Sequence, residues 1–273
     1  MVVASVRTQR LLLVAAVLFG LGFLATFLVA LHTARGLHYD GALFRRVSGS
    51  RLVPVETAGE RALGTIDVGS LLAGAAVLGF LALARGRVAR ALAAVALVGT
   101  SVVSVELLKH GLPRLAGAIP AGRPPTFPSG HTAVAVSLGL ALVLAAPPVL
   151  RPLAAVAGAT YAAGIGLAVI ALGWHYPSDV VGSFFVCGFW ACLAGALSGG
   201  TARRPAVSIP GVVAAVVVVA LGLLLAAFVA SRHSTAVAEL RSRESLVGMA
   251  ALLGALSLST FAVLTPLFEE RER

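Results

Sequence analysis

Eight stretches of nearly uninterrupted Ala, Val, Leu and Gly divide this chain, and they restrict it to folds in which most side chains meet lipid or other apolar helices. A helix needs about 20 such residues to cross roughly 30 Å of hydrocarbon. Inside that medium every backbone amide and carbonyl has to find a partner within the protein, which favours α-helix. The stretches cover residues 11–31, 67–83, 89–108, 131–146, 153–172, 178–197, 210–230 and 245–265. The first follows Arg7 and Arg10 as a secretory leader would. Its apolar run is longer than the ~7–15 residues of a leader core, and it is read as a span. The predicted architecture is an all-α polytopic membrane helix bundle.

Composition agrees: 59% of the residues are hydrophobic and only 12% charged, about half the charged share of a soluble domain. Twenty of the 21 basic residues are Arg, and Lys109 is the single Lys. The formal charge of +10 is spread over short loops rather than gathered in a basic arm, which argues for lipid headgroups and against nucleic acid as the partner. With an inward amino terminus, ten basic residues fall inside and eleven outside, so charge does not choose an orientation. Cys187 and Cys192 lie in one apolar stretch, at a spacing that fits neither a disulfide framework nor a metal-ligand pair. The longest polar interruption, 32–66, mixes Leu43, Phe44, Leu52 and Val53 with several Arg, as a surface-lying amphipathic piece or a plain loop would.

Polar residues then converge. The third span ends on Glu106, Lys109, His110 and Arg114; Arg123-Pro124-Pro125-Thr126-Phe127-Pro128-Ser129-Gly130-His131 follows, and His175-Tyr176-Pro177-Ser178-Asp179 comes two helices later. The 44 residues from His131 to His175 hold two helices and the Pro147-Pro148 turn, so both histidines belong on one membrane face, and Lys109 reaches the same face. Polar groups gathered at one depth of an apolar chain mark a functional site. Pro-Ser-Gly at a helix entrance offers a hydroxyl, a pliable backbone and unpaired amides at the positive end of the helix dipole, a cradle suited to phosphate. Lys109, Arg114 and Arg123 can add charge to that cradle. Two facing histidines supply a nucleophile and a proton donor. The spacing of His175 and Asp179 puts a carboxylate within reach of the imidazole, where it fixes the tautomer.

These segments resemble the type 2 phosphatidic acid phosphatase (PAP2) superfamily, membrane lipid-phosphate phosphatases that share a site with vanadium haloperoxidases. The resemblance runs from about Leu107 to Trp190. Pro-Ser-Gly-His stands intact at 128–131, and His175 with Asp179 matches the latter half of the motif Ser-Arg, five residues, His, three residues, Asp. The resemblance implies that His175 attacks phosphorus, Asp179 orients it and His131 protonates the leaving group. It also implies that Ser129 and the Gly130 amide hold phosphate oxygens, that Lys109 fills the lysine of the first motif, and that no metal or cofactor takes part. The chain departs from the pattern at Ala168-Val169, where the family has Ser-Arg, and at Ala116, where the first motif has arginine. Arg114, favoured by its place near the helix end, or Arg123 is expected to substitute.

The expectation is therefore a six-helix PAP2-like core at 1–200 that carries the site, followed by two membrane helices and a short tail at 205–273. Its reaction would be metal-independent hydrolysis of a lipid phosphate or pyrophosphate, on the extracytoplasmic face of the cell membrane if the family topology applies. A lipid phosphotransferase, or a lipid-phosphate-binding or transport protein without catalysis, are the alternatives left open. The lipid tail and the oligomeric state leave no legible signal.

Overall fold

A computed structural model describes residues 6–48, 53–64, 66, 68–113, 127–198 and 238–268. Among them the chain is helical throughout: α1 (Val6–Thr26, continued by a π-helical turn Phe27–Leu31), α2 (Ala34–Ser48), α3 (Val53–Gly64), α4 (Val68–Leu83), α5 (Val88–Gly111), α6 (Gly130–Ala145), α7 (Arg151–Ala171, entered through a 3₁₀ turn Pro148–Leu150), α8 (Pro177–Leu197) and α9 (Ala238–Leu267). Five helices are long and apolar enough to cross a membrane, within Gln9–Leu31, Val88–Gly111, Pro148–Ala171, Pro177–Leu197 and Leu246–Leu267; Gly69–Leu83 and Gly130–Ala145 are shorter apolar helices. Seven of the eight expected stretches thus appear as helices, while 210–230 lies outside the described residues. The protein is an all-α polytopic membrane bundle.

The polar interruption resolves into α2 and α3 rather than a plain loop. On α2, Leu43 packs against the core and Val47 is fully buried, while Arg35 and Arg45 stay exposed, the division of faces that an amphipathic helix makes. α2 begins hard against the end of α1: the Thr33 hydroxyl donates to the Val29 carbonyl and accepts from the Gly36 amide, and a Cβ on Gly36 would overlap the Val29 carbonyl oxygen. α3 lies along α7, with Gly59 against Ala168 and Leu172.

α8 packs against α1, α5 and α6, and its glycines explain how. Gly182, Gly188 and Gly195 each lie under a phenylalanine ring from another element, Phe127, Phe19 and Phe268 respectively, while Phe185 of α8 occupies the space over Gly22 of α1. Lipid tails are as apolar as Leu, so helices in a bilayer hold together chiefly through close packing, which small residues permit. The same device joins α6, α7 and α9. The backbones of α6 and α7 touch at Gly139 and Gly158, where a Cβ on either would stand 3.0 Å from the other's Cα, and Phe261 of α9 sits over both. The last helix is thereby seated in the core.

Three arginines that a charge count would assign to lipid headgroups end helices instead. Arg85 donates to the Ala145 carbonyl (3.0 Å), Arg151 to Ala146 (3.2 Å) and Arg90 to Phe268 (3.1 Å). Arg90 and Arg151 are buried, and each guanidinium serves carbonyls that a helix C-terminus leaves without intrahelical donors.

At Gly158 neither the Gly139 backbone nor the seated Phe261 ring leaves space for a side chain. Gly158→Val is expected to lower stability by about 1–3 kcal/mol, read as a lower unfolding midpoint in detergent, with Val substituted at Gly164, which has open space around it, as the neutral comparison.

Candidate active site

The two segments singled out above begin neighbouring helices, and backbone bonds lock them together. The Ser129 amide donates to the Asp179 carbonyl at 3.0 Å, and the Ser183 hydroxyl bridges the carbonyls of Ser129 (2.7 Å) and Asp179 (2.9 Å). Phe127, buried over Gly182, packs with Phe23 and Phe27 and anchors the approach to α6. Ser129 is the N-cap of α6: its hydroxyl oxygen accepts from the Thr132 amide (3.4 Å) and the Thr132 hydroxyl (3.1 Å), and the residue is fully buried. Its side chain therefore builds the helix start. The amides of Gly130 and His131 open the helix without a carbonyl one turn back, as first-turn amides do.

The turn from α7 into α8 is shaped by Gly173, whose φ of +71° suits glycine. The amides of Trp174 (2.9 Å) and His175 (3.1 Å) both donate to the Val169 carbonyl. Val169, where the family motif has arginine, is a fully buried core side chain, so this position contributes to the site through its backbone. Pro177 begins α8, and Asp179 lies in its first turn. Oδ2 of Asp179 accepts from the Tyr176 amide (3.1 Å) and pairs with Nδ1 of His175 (3.0 Å). A carboxylate only accepts, so this contact places the imidazole proton on Nδ1 and makes Nε2 the unprotonated ring nitrogen. The His175 ring lies 6.4 Å, centroid to centroid, from that of His131, which also packs against the half-exposed Trp174 at 5.5 Å. Tyr176 is buried and stacks on Phe44 of α2 at 4.5 Å.

Lys109 reaches the same place from the end of α5. Its ammonium pairs with Glu106 at 2.6 Å, and a Cβ on Gly130 would stand 3.0 Å from Nζ and 3.1 Å from the Glu106 carboxylate. Glycine at 130 therefore lets a cation approach the amide end of α6. Arg114 and Arg123 lie outside the described residues. The structure thus brings together His131, His175, Asp179, Ser129, Gly130 and Lys109.

One acid at this site escaped the sequence reading. Asp40 of α2 accepts from the Ser178 amide through Oδ1 (3.0 Å) and from the Ser178 hydroxyl through Oδ2 (2.5 Å). Burial against the bundle, together with the charge of Asp179, pushes its pKa up to about 7, against the pull of the two Ser178 hydrogen bonds. The signal was an acid placed between Leu37 and Phe44 on the apolar stripe of α2; its partner stands 138 residues away.

Residues 107–203 match the family model described as the PAP2 superfamily, a stretch that holds Lys109, Ser129, Gly130, His131, His175 and Asp179. No curated protein matches the chain, and neither does any solved structure.

Asp40 gives a pH prediction. Its folded-state pKa lies above the ordinary 3.8, so between these values the folded state holds a proton that the unfolded state has released. That contribution to stability is full at low pH and is lost as pH rises through about 7. Unfolding midpoints measured between about pH 5 and about pH 8 should fall with rising pH, and Asp40→Asn should flatten the fall.

Proposed function

From a chain whose residues 107–203 match the PAP2 superfamily, we propose an integral membrane phosphatase that hydrolyses a lipid phosphate or pyrophosphate through a phosphohistidine. The observation that carries the proposal is the His175–Asp179 contact, which makes Nε2 of His175 the unprotonated ring nitrogen, with the His131 ring 6.4 Å away and Lys109 against Gly130 at the start of α6.

The reaction follows from those groups. Nε2 of His175 attacks phosphorus while the P–O bond to the lipid alcohol, or to its terminal phosphate, breaks. Asp179 holds the imidazole by its Nδ1–H and stabilises the positive charge that it gains. His131 gives a proton to the departing oxygen. The amides at the start of α6 and the Lys109 ammonium stabilise the equatorial oxygens as charge grows on them. Water then attacks the phosphohistidine with His131 taking its proton, the P–N bond breaks, and inorganic phosphate leaves. Each proton that His131 donates in the first half returns in the second, so the cycle closes on the protein's own groups. Ser129 supports the cradle as the cap of α6. Arg114 and Arg123 are the proposed additional phosphate contacts, in place of the arginine that the family carries at position 169. The lipid tail lies along apolar helix faces, and the reaction is placed at the extracytoplasmic face of the cell membrane, by analogy with the family.

The test is phosphate release by the purified protein from phosphatidic acid, phosphatidylglycerol phosphate and an isoprenyl pyrophosphate, with and without chelator. Release from at least one substrate, unaffected by chelator, is expected. His175→Ala should reduce it to background, and His131→Ala should lower kcat about 10²–10⁴-fold. No release from any substrate, or full release by His175→Ala, contradicts the proposal; binding that persists in His175→Ala without any turnover by the wild type favours a transport or binding protein.

Lys109→Ala removes a charge-assisted contact worth about 1.5–3 kcal/mol. It should lower kcat/KM by roughly 10- to 100-fold, and Lys109→Arg should restore part of the loss.

A further inference from the structure

We propose that Asp40 is a positioning residue for the His175–Asp179 pair, with α2 acting as a brace that holds the first turn of α8. The proposal rests on the reading of His175 as the nucleophile.

α2 grips the α7–α8 turn at two places. On one side the Asp40 carboxylate takes both the amide and the hydroxyl hydrogens of Ser178, the residue immediately before Asp179. On the other, Phe44, one helical turn after Asp40, stacks on Tyr176, the residue immediately after His175, with rings 4.5 Å apart and 29° between planes. Phe44 and Ser48 also come within 3.7 Å of where Gly173 would carry a Cβ. His175 is thus flanked by contacts from a single helix that lies outside the membrane-spanning set.

The pair itself has little slack. A single oxygen of Asp179 serves both the Tyr176 amide and the His175 ring, so rotation of the first turn of α8 loosens the imidazole. Ser178 resists that rotation because its amide and its side chain end on the two oxygens of one carboxylate. An acid that merely capped the helix would need one amide only. The second bond, through the hydroxyl, fixes the turn's rotation as well as its direction. Among the described residues Asp40 is bonded to Ser178 and not to His175, so it acts through Ser178 and Asp179 rather than on the substrate.

The experiment compares Asp40→Ala, Asp40→Asn and Ser178→Ala with the wild type in detergent. One readout is kcat and KM for phosphate release from phosphatidic acid and an isoprenyl pyrophosphate. The other is the ¹⁵N spectrum of the His175 ring, assigned by its disappearance in His175→Ala. Asp40→Ala should lower kcat about tenfold while KM stays within about twofold, and it should turn a ring protonated at Nδ1 into a mixture of tautomers. Asp40→Asn keeps an acceptor for the amide and should recover most of both. Where Asp40→Ala does not fold, Ser178→Ala decides on the same readouts. Unchanged kcat with an unchanged tautomer overturns the proposal. So does a loss of kcat that only follows the folded fraction, with Asn no better than Ala and the tautomer intact. A wild type that releases no phosphate, but whose His175 tautomer still responds to Asp40, upholds the brace and removes the phosphatase reading instead.

Discussion

The hydrogen bond from the Ser129 amide to the Asp179 carbonyl fixes the starts of α6 and α8 against each other, and the site depends on that joint. Both helices begin at the same depth with their amide ends together, so two positive dipole ends face one small volume. Carboxylates answer that field on the α8 side, Asp179 from within and Asp40 from α2. On the α6 side the Lys109–Glu106 ion pair stands against Gly130. The two helix ends therefore differ: one faces two acids and carries the imidazole, the other faces an ion pair that brings an ammonium to the helix start.

Packing makes this joint rigid without large polar networks. Phenylalanine rings lie over glycines at Gly182, Gly188 and Gly195, which presses α8 against three neighbours along its length. Of these contacts the one with Phe127 bears most directly on the site, since it seats the residues just before Ser129 on α8. Polar side chains buried between helices find partners close at hand, such as Ser257 on the Ala159 carbonyl and Ser183 on the Ser129 carbonyl, as expected where every unpaired polar group is costly.

Much of this was legible in the sequence. Apolar runs marked the spans because a bilayer demands them, and counting helices between His131 and His175 placed both on one face. Proline and serine marked the starts of α6 and α8, and the four-residue spacing of His175 and Asp179 foretold their contact. Three kinds of feature were not legible. Asp40 and Ser178 are partners across 138 residues, and no local pattern announces such a pairing. Arg85, Arg90 and Arg151 look like headgroup contacts from their loop positions, yet their guanidinium groups end helices, and Arg90 and Arg151 are buried there. The pairing of rings with glycines depends on crossing geometry that hydropathy does not encode. The stacking of Tyr176 on Phe44 was hidden too, because α2 comes from the one region whose structure was left open.

The brace by α2 also separates two ideas of what a module is. The stretch recognisable as PAP2 starts at residue 107, yet α1 fills the groove of α8 through Phe19 and α2 grips the turn that carries His175. Recognisability here follows the groups that would touch phosphate, whereas cooperativity follows the helices that keep those groups still. A graft or chimera cut at the edge of the recognisable stretch would carry His131, His175 and Asp179 and leave behind the helices that pack around them. The natural unit of exchange is the bundle from α1 onward.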